Sequence, residues 1–252
     1  MPKAGRMNKK MKFSIITVCF NEVAHIRETC KSVVGQSCSE FEWMVVDGGS
    51  TDGTLNILKE YHEKITVLIS EPDQGIYHAM NKGIQRSKGE YLIFMNGGDA
   101  FVNNEILREI KTELLTDIVY GDLLTSTDPP SEIRFPEVLS KKDLLKKMFP
   151  HQATFIRRTL FDRFEMYDES FKIAGDYEWF VRVLSDSSVT TRHISKYVSI
   201  FRDDGISQNE AFRMLRKREN HRVRWKYYPV YRFSFKGIKA TLRFMKNNNR
   251  SK

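Results

Sequence analysis

Three early segments of the chain are apolar and β-branched almost without interruption: Phe13-Ser-Ile-Ile-Thr-Val-Cys-Phe20, Phe41-Glu-Trp-Met-Val-Val-Asp47 and Tyr91-Leu-Ile-Phe-Met95. Strands buried on both faces of a mostly parallel sheet have this character, because neither face needs polar side chains. The stretches between them change period. Val23, Ile26 and Val33 recur at helical intervals through Glu22–Val34, with Asn21 as a cap and Gly35 as a stop. A second helix is predicted over Leu55–Tyr61, a strand over Ile65–Ser70, a loop at Glu71–Gly75, and a third helix from Ile76 to Gln85 that leads through Gly89. The resulting order, β-α-β-α-β-α-β, predicts an α/β fold: a Rossmann-like open, mostly parallel sheet with flanking helices and right-handed crossovers.

Beyond Asp99 the pattern loosens. A short strand at Ile118–Tyr120 precedes a Pro-rich loop around Asp128-Pro129-Pro130. Lys141–Met148 reads as an amphipathic helix, Pro150–Ile156 as a strand, and Gly175–Leu184 as an amphipathic helix with Asp176 as its capping acid. No internal repeat appears. One domain is expected over residues 12–212, with a basic extension at 1–11 and a basic amphipathic, aromatic-rich helical tail at 213–252.

Charge changes this picture. The 252 residues carry a formal net charge of +9 and are 40% apolar, which excludes disordered and collagen-like classes. The excess is confined to the ends: residues 1–12 are +5, residues 13–212 are −9, and residues 213–252 are +13, with 14 basic side chains and one acidic. An acidic body argues against a nucleic-acid partner. The tail interleaves cations with rings (Arg222-Val-Arg-Trp-Lys-Tyr-Tyr-Pro-Val-Tyr-Arg-Phe), the composition of a segment lying on an anionic membrane surface. Three cysteines without a CxxC pair, and no apolar run of membrane-spanning length, give the expectation of a cytoplasmic protein, peripheral on the inner face of the membrane.

Chemistry gathers at the strand ends. Asn21-Glu22 follows the first strand, Asp47 ends the second, Asp73 follows the third, and Asn96-Gly-Gly-Asp99 follows the fourth. Ligands of open α/β sheets collect there. Carboxylates beside Gly-rich turns suit Mg²⁺ or Mn²⁺ holding a phosphorylated ligand. Neither a GxxxxGK[ST] loop nor a GxGxxG after the first strand is present.

Taken together and in order, Phe13–Glu22, Val45-Val-Asp-Gly-Gly-Ser-Thr-Asp-Gly-Thr54, Glu71-Pro-Asp-Gln-Gly-Ile-Tyr77, Asn81-Lys-Gly83 and Gly89–Asp99 resemble the inverting family-2 glycosyltransferases of GT-A fold. The resemblance spans about residues 12–205 and is nearest to the bacterial enzymes of capsule, exopolysaccharide and lipopolysaccharide assembly. It implies that a nucleotide-sugar donor is held by Val18, Phe20, Glu22, Asp47, Asp73, Lys82, Asn96, Gly97 and Gly98. Arg86 is implied to lie near the diphosphate, and Asp99 to be the last acid of the metal motif. The motif here departs from the pattern, offering one carboxylate where relatives offer two or three. Asp176 is implied to be the catalytic base, with Glu178 in reserve and His151-Gln152 on the acceptor side. His78 stands where relatives often carry an acid, and Arg202–Ser207 resembles a closing loop hinged at Gly205. The function implied is metal-dependent inverting transfer of a sugar, from a UDP-sugar ahead of a GDP-sugar, to a saccharide or lipid-linked acceptor. A nucleotidyltransferase and a non-catalytic nucleotide-sugar- or membrane-binding protein remain the alternatives.

Overall fold

A computed structural model describes residues 11–139, 141–146, 150–202 and 210–248. Strands β1 (Phe13–Cys19), β2 (Phe41–Asp47), β3 (Val67–Ser70) and β4 (Tyr91–Phe94) lie in the order β3-β2-β1-β4, all parallel. Helices α1 (Ile26–Val34), α2 (Thr54–Glu60) and α3 (Ile76–Arg86) connect them. Alternate residues of β1 serve separate cores. Ile16 and Val18 join α3 on one face, while Phe13, Ile15 and Cys19 join α1 and α2 on the other. Burial on both faces is the reason the strand lacks polar alternation.

The second half of the sheet is mixed. Beside β4 lies β8 (Thr154–Arg157), antiparallel to it, then β6 (Ile118–Thr125), β9 (Thr191–Phe201) and β5 (Ala100–Phe101), with β7 (Glu132–Ile133) paired to β6. Short helices α4 (Ile106–Lys111), α5 (Lys141–Lys146) and α6 (Thr159–Phe164) flank these strands, and α7 (Gly175–Leu184) is buried along nearly its whole length.

Local readings shift at three points. The first helix starts at Ile26, because Asn21 adopts φ 53° and turns its side-chain oxygen to the Thr51 N–H at 3.0 Å instead of capping α1. The strand expected from Pro150 begins at Thr154: the Pro150 carbonyl accepts both the Ala153 N–H and the Thr154 hydroxyl, winding residues 151–153 into a 3₁₀ turn. Asp176 lies inside the first turn of α7, with Ala174 in the capping position.

The C-terminal segment begins as α8 (Arg213–Tyr227), followed by α9 (Pro229–Arg232) and α10 (Phe235–Asn248). Helix α8 packs on α7 through fully buried Val223. Helix α10 exposes Phe235, Ile238 and Leu242, spaced as one stripe. Among the described residues no helix is long and apolar enough to cross a membrane.

Candidate active site

A cleft of about 530 Å³ opens at the C-terminal ends of β1, β2 and β4. Its shape follows from how the strand ends are tied. The Gly48 N–H donates to the Cys19 carbonyl and the Gly97 N–H to the Val18 carbonyl, both at 2.9 Å, so the loops after β2 and β4 hang on the end of β1. The Ser-Thr-Asp-Gly-Thr segment is used for the same purpose: Ser50, Asp52 and Thr54 accept the backbone N–H groups of Asn21, Val23 and Glu22. Gly98 sits at φ 95°, a conformation that strains any other residue, and it packs against the Arg202 side chain.

Val18, Phe20, Glu22, Asp73, Asn96, Gly97, Asp99 and Gln152 all line this cleft. Phe20 is 60% exposed, an apolar platform at its mouth. Asp73 accepts from Lys82 Nζ at 2.6 Å, and Lys82 also reaches Glu71 at 2.7 Å. Burial works against the Lys82 charge, but these two carboxylates outweigh it and raise its pKa. His78 Nδ1 lies 3.4 Å from Asp73.

Asp47 is placed differently. It is fully buried beneath the cleft, where its carboxylate accepts from the Ser50 hydroxyl and N–H and from the Ser70 hydroxyl at 2.6 Å. It therefore secures the β2 and β3 loop ends from below. Glu178, fully buried as well, faces α8, accepting from Tyr227 and lying 3.3 Å from Lys226 Nζ and 3.0 Å from Arg182. Of the segment Arg202–Ser207, only Arg202 falls within the described residues; Gly205 lies outside them.

Asp99 sits at the cleft floor, 4% exposed. Burial is the main influence on its carboxyl and pushes the pKa up to about 6, against the N–H of Arg202 at 3.1 Å, the Gln152 side chain and the Arg202 guanidinium. Close by in sequence, Asn96 donates its amide N–H to His151 Nε2 at 3.0 Å, while its carbonyl oxygen is buried with no partner among the described residues. Among those residues no group of three His, Cys, Asp or Glu side chains gathers as a metal site. One buried carboxylate and one orphaned amide oxygen nevertheless fit a hard divalent cation that completes its shell with diphosphate and water, since such ions take oxygen ligands and keep open positions.

Asp176 is 2% exposed and does not line the cleft. It accepts from the Tyr77 hydroxyl at 3.0 Å, the Tyr177 N–H at 2.8 Å and His151 Nδ1 at 2.9 Å. A carboxylate only accepts, so Nδ1 carries the ring proton and Nε2 receives the Asn96 amide. An unbroken chain thus runs from Asp176 through His151 to Asn96 at the cleft wall. Gly175 permits this packing, because a Cβ there would lie 2.7 Å from the Tyr77 ring.

Two cations of the cleft were not read from the sequence as ligand contacts, Arg202 entering there only as the start of the loop Arg202–Ser207. Lys172 reaches across to the Gln74 carbonyl at 2.6 Å, and Arg202 pairs with Glu22 at 2.9 Å. Both put positive charge where an anionic ligand would lie.

The family model "Glycosyl transferase family 2" matches residues 14–171, which hold the four parallel strands and most of the cleft. The chain belongs to this family. As a family-2 glycosyltransferase it is 29% identical over 205 residues to a PGL/p-HBAD biosynthesis glycosyltransferase of Mycobacterium bovis, covering 78% of this chain and 79% of that one. Its fold is that of GT-A structures. Staphylococcus aureus TarS 1–349 in complex with UDP-GlcNAc superposes with a TM-score of 0.72 at 21% identity, covering 91% of this chain and 69% of that one. The mannosyltransferase PcManGT from Pyrobaculum calidifontis, in complex with GDP-Man and Mn²⁺, gives 0.64 at 18% identity, covering 86% and 64%.

Proposed function

We propose that this glycosyltransferase is metal-dependent and inverting, and moves one sugar from a nucleotide-diphosphate sugar to a saccharide or lipid-linked acceptor in surface polysaccharide biosynthesis. The observation that carries the reading is the floor of the cleft, where the Asp99 carboxylate and the unpartnered Asn96 oxygen lie in one motif. The donor's base rests against Phe20, and the Asp73–Lys82 pair serves the base and ribose. Asp47 acts from below, by fixing the Ser50 and Ser70 turns. Gly97 and Gly98 let the backbone approach the diphosphate, which faces Lys172 and Arg202. A UDP-sugar is favoured over a GDP-sugar.

Asp99 and Asn96 would hold Mg²⁺ or Mn²⁺, and when bound the ion would neutralise charge on the departing diphosphate. Inversion requires a single displacement. The acceptor oxygen forms the new bond to the anomeric carbon, the bond to the diphosphate breaks on the opposite face, and the hydroxyl proton passes to a base. Asp176, held by Tyr77 and joined to the cleft wall through His151 and Asn96, is that basic centre on the acceptor side, and Gln152, which lines the cleft, faces the acceptor.

A thermal-shift panel of UDP- and GDP-sugars with Mn²⁺ tests the donor assignment. A donor at 100 times its Kd adds about 2.7 kcal/mol of stability, so one donor class is expected to raise the melting temperature clearly. No rise with any donor would contradict the seat described.

The acceptor side is proposed to work at the cytoplasmic face of an anionic membrane, reached through α10. Its stripe of Phe235, Ile238 and Leu242 is flanked by Lys236, Lys239 and Arg243. Burying such side chains contributes roughly 1.5–3 kcal/mol each, so Ile238→Asp with Leu242→Asp is expected to lower cosedimentation with phosphatidylglycerol vesicles by about ten-fold or more. Unchanged cosedimentation would remove the membrane argument.

A further inference from the structure

The C-terminal segment of 14 cations contains a single acid, Glu219, and that acid is buried at 6% exposure. Its carboxylate accepts three successive backbone N–H groups: Lys172 at 2.8 Å, Ile173 at 2.9 Å and Ala174 at 2.9 Å. One turn along the same helix, Arg222 covers the Phe171 ring at 4.2 Å and donates to Ser170 at 2.9 Å. Helix α8 therefore grips the whole segment that enters α7.

What that segment holds gives the grip its meaning. Lys172 lines the cleft and reaches the Gln74 carbonyl of the donor-side loop. The Ile173 carbonyl accepts the Tyr77 hydroxyl at 2.8 Å, and the same hydroxyl lies 3.0 Å from Asp176. Gly175 and Asp176 follow directly. A carboxylate receiving three N–H groups is well satisfied despite its burial, whereas its removal leaves three donors of a largely buried segment without partners.

We infer that Glu219 is a positioning residue of the active site: from α8 it sets Lys172 on the donor side and the Tyr77–Asp176 contact on the acceptor side. The inference rests on the proposed function for what the cleft binds, but not for the positioning itself. Outside the matched residues 14–171, α8 is thereby a working part of the site and not only a route to a membrane.

The test uses the full chain with Glu219→Gln, which keeps the shape but presents an amide to the N–H groups, together with Glu219→Ala, Lys172→Ala and Glu219→Gln/Lys172→Ala. Amide hydrogen exchange needs no substrate. Protection is expected to fall at residues 172–176 in both Glu219 variants while β1, β2 and β4 stay protected. Affinity for the donor nucleotide is expected to fall about ten-fold in Glu219→Gln and in Lys172→Ala, and no further in the double variant, because both changes act through one side chain. Unchanged exchange at 172–176, protection lost along the whole chain, or fully additive losses of affinity would each overturn the positioning role. If exchange responds locally but the parent chain binds neither UDP- nor GDP-sugars, the donor reading fails and the positioning stands.

Discussion

Asp176→Asn is expected to lower sugar transfer by roughly 10²–10⁴-fold, the usual contribution of general base catalysis, with donor affinity almost unchanged. The separation follows from where the carboxylate lies. Asp176 is buried behind the cleft and touches Tyr77, His151 and its own helix, so the donor seat loses no contact when the charge is removed. The amide keeps the shape and still accepts from the Tyr177 N–H, which limits structural damage. Its extra N–H group, however, disturbs the side that receives His151 Nδ1–H. A steady-state comparison of kcat with the Kd for donor nucleotide reads both effects. Retention of full transfer by the variant would remove Asp176 from the chemistry.

Asp99→Asn is expected to have opposite effects on turnover and on stability. Metal-dependent turnover falls, because the only carboxylate of the motif is gone. The metal-free fold gains. Burial raises the Asp99 pKa from 3.8 to about 6, so the native state binds this proton more tightly than the unfolded chain does. The stabilisation from that proton is fully present below pH about 4 and is lost as pH rises through about 6. A shift of about two units corresponds to about 3 kcal/mol. In EDTA, the variant should match the parent near pH 4 and exceed it by up to about 3 kcal/mol at pH 7–8 in denaturant unfolding. A difference that does not change with pH would show that burial does not raise the Asp99 pKa.

The sequence carried the parallel half of the fold clearly, because β1, β2 and β4 are buried on both faces and their composition says so. It carried β5, β7 and β9 poorly. β5 and β7 have two residues each, and β9 mixes Arg192, His193, Ser195 and Lys196 with apolar residues along a partly exposed strand. The strand-end acids were legible as a set, and Asp73 and Asp99 do line one cleft. Their individual surroundings were not: Asp47 looks like its neighbours in the sequence, yet two serine hydroxyls 3 and 23 residues away occupy its carboxylate.

The cleft cations were harder still. Lys172 and Arg202 acquire their places through partners 98 and 180 residues distant, which no local spacing announces. Glu219 stood out in the sequence only as the lone acid of a basic tail. Its partners are backbone N–H groups 45–47 residues away, and backbone groups leave no signature in side-chain pattern.

The most direct test of the account is the identity of the nucleotide released. The full chain is incubated with UDP- and GDP-sugars, Mn²⁺ and a saccharide or lipid-linked acceptor mixture, and the nucleotides are separated chromatographically. Release of a nucleoside diphosphate from one donor class, dependent on the metal and lost in Asp99→Asn, is the predicted result. Pyrophosphate released from a nucleoside triphosphate, with every nucleotide sugar left intact, would contradict it.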